Sequence, residues 1–284
     1  MRYDLPLSRL TLTVPEALQA RDTRSSYKLS SLRLCIRKYS EGRPSIAQLI
    51  PVIFPHLDHL VIHHVHPREF DSLRHLQDLT RLQSLMVGGV SLEFISPVLE
   101  VRGAQLRELS LLCYGGNSGK ISLSLVWTLC PSLVSLTVSG TCVSCEQPWL
   151  SSSSPLPSLT NLQLTTHAHI PQSVWTCLLS TCLLLTSLEM TGCQGLWDES
   201  LARLLESHPS ALAKIRRFCV KGSHRGDISL TEASVARLRR RCGGLVELGD
   251  CFTWSLQGTG LDSLPVISVH NQSLGNISSR SSSL

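Results

Sequence analysis

Residues 106–111 have the sequence Leu-Arg-Glu-Leu-Ser-Leu, in which three leucines follow the spacing leucine-x-x-leucine-x-leucine. The second and third leucines, Leu109 and Leu111, lie two positions apart, so in a β-strand both side chains point to one face. The first, Leu106, leads the chain into that strand. A single triplet is weakly diagnostic because a leucine-rich chain contains several by chance, and its recurrence therefore decides the fold.

The triplet recurs along most of the chain at a nearly constant interval. With Ile, Val or Met allowed in place of leucine, good copies begin at Leu7, Leu29, Leu57, Leu82, Leu106, Leu133, Leu159 and Leu185. These first leucines lie 22, 28, 25, 24, 27, 26 and 26 residues apart. Two weaker copies follow, at Ile215-Phe218-Val220 and Leu245-Leu248-Asp250. A period of about 20–29 residues with this triplet is typical of leucine-rich repeats.

The sequence therefore predicts an α/β fold, a leucine-rich-repeat solenoid of eight to ten repeats over residues 1–254. Parallel strands of successive repeats stack on a concave side, and helices and loops return along a convex side. No repeat can bury its apolar face alone, so each is stabilised by its neighbours. Residues 255–284 are rich in Ser, Gly and Asn, and we expect a disordered tail there.

The segments that connect the strands carry their own patterns. Apolar residues at helical spacing follow Ser45, Asp198 and the capping-box residues 229–232, so these three connections are predicted to be helices. Pro97 and the stretch 151–157 instead predict irregular loops, because proline lacks the backbone N–H of a regular helix.

Composition and charge limit the classes of function. The chain has 26 Lys and Arg against 21 Asp and Glu, a net charge of +5. This mild charge makes nucleic acid an unexpected partner, although residues 214–221 and 237–241 are basic. No run of about 18 apolar residues and no secretory signal is visible, so we expect no membrane partner. The 11 scattered cysteines are typical of reduced thiols and favour a cytoplasmic or nuclear location.

Cysteines in three repeats carry a resemblance to a known family. Cys130, Cys182 and Cys242 each stand three residues before the first leucine of a triplet, and Cys193 stands eight residues after Leu185. This pattern resembles the cysteine-containing leucine-rich repeats of F-box substrate receptors, which belong to SCF-type (cullin–RING) ubiquitin ligases. The resemblance covers residues 7–254 and implies a protein-binding module that recognises substrates for ubiquitin-dependent degradation.

The chain departs from that family at two points. The first triplet begins at Leu7, which leaves no room within this chain for the F-box that would bind the ligase adaptor. The asparagine or cysteine expected eight residues after the first leucine is present only as Cys193. The sequence therefore also allows a non-ligase scaffold or adaptor that binds proteins through the same repeats.

The side chains between the apolar positions of each triplet must point away from the core, onto the predicted concave face. Their chemistry is mixed, which favours a protein or peptide partner. The residues we predict to contact that partner are Arg9, Arg33, His59, His63, Glu108, Asn161, Gln163, Glu189, Arg217 and Lys221.

Three motifs resemble metal-binding or phosphate-binding sites, but none of them meets the requirements of such a site. His59 and His63 stand about 13 Å apart on a strand, too far to bind one zinc ion. The pair Cys142 and Cys145 has zinc-site spacing but no second pair, and we place it in a loop. Residues 115–120 lack the spacer of a phosphate-binding loop. We therefore expect no metal, no cofactor and no enzymatic activity.

Overall fold

The computed structural model describes most of the chain between Leu10 and Leu248. The described residues are 10–13, 29–35, 45–113, 121–140, 143–144, 156–165, 170, 172–193, 198–208, 210–221, 232–242 and 247–248. The predictions for Arg9, for the loop 115–120, for the capping residues 229–231 and for the tail 255–284 lie outside these residues.

Ten parallel strands form a single open sheet, with one strand at each of the ten triplets. In sheet order they are β1 (Leu10–Thr13), β2 (Ser31–Cys35), β3 (His59–His63), β4 (Ser84–Gly88), β5 (Glu108–Leu112), β7 (Ser135–Ser139), β9 (Asn161–Thr165), β10 (Ser187–Thr191), β11 (Arg217–Lys221) and β12 (Glu247–Leu248). Both weaker triplets contain strands, and in the first of them Phe218 fills a leucine position and is fully buried.

A repeated backbone pattern fixes the register between neighbouring strands. The residue after the first leucine of each triplet offers one carbonyl to two N–H groups of the next repeat. The Arg107 carbonyl, for example, accepts from Val134 N at 2.7 Å and from Ser135 N at 3.0 Å. Seven successive carbonyls, from Ser30 to Thr186, make this forked bond. As a result, equivalent residues of different repeats face each other across the sheet.

The apolar residues of the triplets build one continuous core. Leu106, Leu109 and Leu111 are all buried, and the register pairs Leu109 with Leu85 on one side and Leu136 on the other. The same core cluster includes the inward side chains of the connecting helices. The sheet and its helices therefore stabilise each other by sharing one buried layer.

The connections are mostly helical. They are α1 (Ile46–Ile53), a 3-10 helix (Pro67–Asp78), α2 (Leu92–Arg102) with a short 3-10 helix (Gly103–Gln105), α3 (Leu123–Leu129), α4 (Gln172–Thr181), α5 (Asp198–Ser207) and α6 (Glu232–Arg241). The helices predicted after Ser45 and Asp198 are present at α1 and α5. No helix within the described ranges has both the length and the apolar character needed to cross a membrane.

Ser45 precedes α1 but does not cap it through its side chain. Its hydroxyl donates to the carboxylate of Glu69, on the 3-10 helix of the next repeat. Glu69 is buried, and this hydrogen bond provides a polar partner for a group that would be costly to bury alone.

The prediction that Pro97 marks an irregular loop is wrong, because Pro97 lies inside α2. A proline cannot donate to the carbonyl four residues earlier, which here belongs to Glu93. The hydroxyl of Ser96 donates to the carbonyl of Leu92 at 2.9 Å and lies 3.2 Å from that of Glu93. The helix continues through the proline with this polar group beside the carbonyl that loses its N–H donor.

The segment around Val143 also differs from the predicted loop. Val143–Ser144 forms a short strand, β8, which pairs in parallel with β6 (Ile121–Ser122). The two strands make a small second sheet. A two-residue strand has too few residues to show an alternating apolar pattern, and the sequence therefore gave no signal for it.

The cysteines of the repeats pack as small apolar residues. Cys130, Cys182 and Cys242 are buried, and burial raises the pKa of Cys130 to about 12 and that of Cys182 to about 11. Cys193 donates to the carbonyl of Leu164, one repeat earlier. Sequence analysis missed Cys113, which stands seven residues after Leu106 and donates to the Val90 carbonyl at 3.0 Å.

We predict that Leu136→Ala lowers the free energy of unfolding by about 2–5 kcal/mol, because it removes buried atoms and leaves a cavity in the shared core. The adjacent substitution Thr137→Ala, on the opposite face of β7, is the control and should change stability by less than about 0.5 kcal/mol. Urea denaturation followed by circular dichroism measures both. Equal losses in the two variants would contradict the assigned orientation of β7.

Candidate functional site

The face of the sheet opposite the core, which we call the outer face, carries the side chains that alternate with the buried ones. Most of them are exposed or half-buried, in contrast to the buried leucines on either side of them, whereas Cys219 on β11, the register partner of Glu189, is buried. The described members are Ser31, Arg33, His59, Val61, His63, Ser84, Met86, Glu108, Ser110, Leu112, Ser135, Thr137, Ser139, Asn161, Gln163, Thr165, Ser187, Glu189, Thr191 and Arg217.

Because the register is regular, these side chains form rows that run across the strands. The middle row passes from Arg33 on β2 through Val61, Met86, Ser110 and Thr137 to Gln163 and Glu189 on β10. Neighbours in a row stand about 4.8 Å apart, and neighbours along a strand about 6.6 Å apart. The outer face is therefore a grid whose chemistry changes from one end to the other.

The end of the grid on β2 and β3 is cationic. Arg33 and His59 are exposed, and His63 is half-buried. The pKa of His63 is lowered, first by burial, then by the positive charge of Arg33 and by His64. The positive charge of Arg33 therefore disfavours protonation of the His63 imidazole.

Three apolar side chains follow on the next strands. Val61, Met86 and Leu112 are half-buried and face outward from β3, β4 and β5. Gly88, the register partner of Leu112, adds no side chain to the face. Sequence analysis missed Leu112 as a surface residue, because a leucine directly after a leucine triplet resembles one more core position.

Polar groups occupy the rest of the face. Ser84 donates to the carboxylate of Glu108 at 2.9 Å, which links β4 to β5. Serine and threonine hydroxyls dominate β7, and Asn161 and Gln163 present amides on β9. Such groups donate and accept hydrogen bonds in many geometries, and they suit contact with a polypeptide better than one fixed small ligand.

Glu189 and Arg217 lie at the far end of the grid and interact with each other. Their charged groups are 3.8 Å apart, between β10 and β11. This pair partly neutralises two residues that we predicted to contact a partner. Lys221 lies on β11, but its side chain and all of Arg9 are outside the described residues. The remaining predicted residues all lie on the outer face.

The histidines that the structure describes are dispersed over a strand, a helix and turns or loops. Among the described residues, no three His, Cys, Asp or Glu side chains are grouped to hold a metal ion. His59 and His63 stand at opposite ends of β3. His66 instead accepts from the backbone N–H of Arg68 at the start of the 3-10 helix, and His75 lies 3.2 Å from the amide of Gln48.

The basic stretches are not gathered into one stripe. Arg217 lies on the outer face, whereas Arg237, Arg240 and Arg241 are on helix α6. Arg241 donates to the carbonyl of Leu205 at 3.0 Å and Arg240 to that of Ala236 at 3.4 Å, so both have local hydrogen-bond partners.

A shallow cavity lies near the starts of β4, β5 and β7. It is lined by Thr80, Arg81, Gln83, Ala104, Gln105, Arg107 and Ser132. Gln105 donates to the carbonyls of Thr80 and Leu82, and Arg81 pairs with Asp58 at 3.1 Å. These groups bridge consecutive repeats, and we interpret the cavity as structural.

Comparison with known proteins identifies the architecture. No family model matches the chain, and no curated protein sequence does. A chain from the complex of Rad7 and Elc1 in yeast matches with a TM-score of 0.55 and 17% identity, over 78% of this chain and 56% of that one. The fold is a leucine-rich-repeat solenoid.

Two further solved structures share this likeness at lower scores. An internalin from Listeria monocytogenes matches with a TM-score of 0.44 and 15% identity, over 78% of this chain and 61% of that one. The mouse RP105/MD-1 complex matches with a TM-score of 0.42 and 17% identity, over 86% and 47%. In the first comparison, this chain spans just over half the length of the chain from the Rad7–Elc1 complex.

We predict that Arg33→Gln raises the pKa of His63 towards its ordinary value, because it removes one of the positive charges that disfavour the imidazolium. In the unchanged protein His63 therefore stays neutral at a pH where a free histidine begins to protonate. An NMR titration of the imidazole resonances measures the shift. Gln163→Ala, on β9 and five strands along the grid from β2, should leave the His63 pKa unchanged. An unchanged or lower pKa in Arg33→Gln would refute the coupling.

Proposed function

We propose that this solenoid binds another protein through the outer face of its sheet. The observation that carries the proposal is the chemical variety of that face, where cations, apolar side chains, hydroxyls, amides and an acid are presented at fixed spacing. A rigid sheet holds these groups in place before binding, so little conformational entropy is lost on contact.

The size of the outer face fits a protein or peptide. From β2 to β11 the grid spans roughly 34 Å across the strands and about 13 Å along them. A small molecule needs a concave site that encloses most of its surface, whereas an open face suits an extended partner. The Rad7–Elc1 structure, which shares the fold, is itself a complex of two proteins and supports this proposal.

Photo-crosslinking tests which face the partner contacts. A benzoylphenylalanine replaces Gln163 on the outer face, or Glu100, which is exposed on helix α2. We expect discrete crosslinked partners from position 163 and none of these from position 100, after expression in cells and mass spectrometry. Partners captured from position 100 alone would place the binding surface on the helices and refute the proposal.

We further propose that the module is the substrate-recognition part of an SCF-type ubiquitin ligase receptor in the cytoplasm or nucleus. The support is the family resemblance of the cysteine pattern, together with the shared burial of Cys130, Cys182 and Cys242 in front of their triplets. In such a receptor the partner on the outer face is a substrate, and a ligase adaptor is bound elsewhere in the receptor.

Affinity purification of the endogenously tagged gene product distinguishes a ligase receptor from a scaffold. A receptor should copurify with the ligase adaptor and a cullin, and its crosslinked partner should accumulate when cullin ligases are inactivated. If the partner is captured but no cullin component copurifies and its level does not change, the protein is a scaffold or adaptor without ligase function.

A further inference from the structure

The outer face is not equally polar along its length. Within the strands whose side chains the structure describes, the apolar residues that remain partly open to solvent on this face are Val61, Met86 and Leu112. They lie on the consecutive strands β3, β4 and β5. From β7 to β10 the same rows contain hydroxyls, amides and the Glu189 carboxylate. The apolar surface is therefore confined to one place, which we call the apolar step.

The register makes the apolar step continuous. Val61 is the direct cross-strand neighbour of Met86, and Leu112 is that of Gly88. Gly88 is buried and adds no side chain to the face, so Met86 and Leu112 are the apolar groups that β4 and β5 present to solvent there.

The positive charge of Arg33 borders the apolar step on the β2 side. Arg33 is the direct cross-strand neighbour of Val61, and the imidazoles of His59 and His63 flank Val61 along β3. Arg33 is exposed, and no carboxylate in the described part of the chain forms an ion pair with it. Its planar guanidinium is suited to bind a carboxylate through two parallel hydrogen bonds.

Negative charge borders the apolar step on the other side. Glu108, on β5, is exposed and accepts from Ser84. A ligand carboxylate placed near Glu108 would be repelled, whereas one placed near Arg33 would be attracted. The charges therefore impose a direction on a charged ligand that crosses the strands.

We propose that the apolar step and Arg33 together bind an extended acidic peptide segment of the protein partner, with an aliphatic or aromatic side chain two residues from an Asp or Glu. The apolar side chain packs on Met86 and Leu112, and the carboxylate binds Arg33. Arg33 and Met86 stand two strands apart, about 9.6 Å. Side chains two residues apart in an extended chain lie on one face and about 6.6 Å apart, and the long Arg33 side chain is able to span the difference. This inference rests on the proposed protein-binding function.

Peptide selection tests the proposal with a defined probe. A random dodecapeptide phage library is selected on the full chain, and the enriched peptides are synthesised with a fluorescent label. We expect the enriched sequences to share an acidic residue two positions from an apolar one. Enrichment of basic peptides, of sequences without this pair, or of no sequence would overturn the proposal.

Variants then locate the bound peptide. Fluorescence anisotropy with a selected peptide should show affinity reduced at least about tenfold by Arg33→Glu and by Met86→Gln. Arg74→Glu, at an exposed arginine on the 3-10 helix Pro67–Asp78 and not on the outer face, is the charge-matched control and should bind as the unchanged protein does. Melting curves verify that all three variants are folded. Unchanged affinity in Arg33→Glu and Met86→Gln would refute the assigned site.

A charge-swap peptide separates direct contact from general loss of binding. When the acidic residue of the selected peptide is replaced by lysine, Arg33→Glu should bind it more tightly than the unchanged protein does. The absence of this rescue would show that Arg33 does not contact the peptide. The proposed function is tested separately, because partners crosslinked from position 163 would support it even if the apolar step bound no peptide.

Discussion

The whole structure depends on leucine side chains that no single repeat can shield from water. Each strand buries its inward residues only because the strands before and after it do the same. The forked carbonyl bonds, in which one acceptor such as the Arg107 carbonyl serves two N–H groups of the next repeat, hold the strands at one register. Burial of the leucines stabilises the fold, and the forked hydrogen bonds set the register of its strands.

The same order creates the binding surface. When every inward position is fixed, every outward position is fixed too, because side chains alternate along a strand. The rows from Arg33 to Glu189 exist for this reason, although their residues contribute little to the core. The core restricts inward positions to apolar residues, whereas outward positions are open to any chemistry. A cationic end, an apolar step and a hydroxyl-rich middle can therefore coexist on one rigid support.

The sequence was sufficient to predict the strands, because the buried positions must be apolar in every repeat. The apolar triplets therefore recur at a regular interval even where the residues between them vary. The sequence predicted even the strand at Phe218, where a larger apolar side chain replaces leucine. It failed at Pro97, because whether a helix continues through a proline depends on local side-chain geometry that no periodic pattern encodes, here the Ser96 hydroxyl beside the carbonyls of Leu92 and Glu93. It missed Leu112, because a leucine beside a buried triplet does not reveal which face it occupies. The polar members of the outer face followed from alternation alone, but which of them a partner touches depends on that partner.

The buried thiols can report the local opening of individual repeats of this solenoid. Cys113, Cys130, Cys182 and Cys242 belong to different positions along the array, and burial raises the pKa of each. A thiol of this kind is protected from oxidants and alkylating reagents while its repeat is closed, because the reactive thiolate is scarce and shielded. Labelling of each cysteine therefore follows the opening of its own segment. In a one-dimensional stack this distinguishes fraying from an end from a break in the middle.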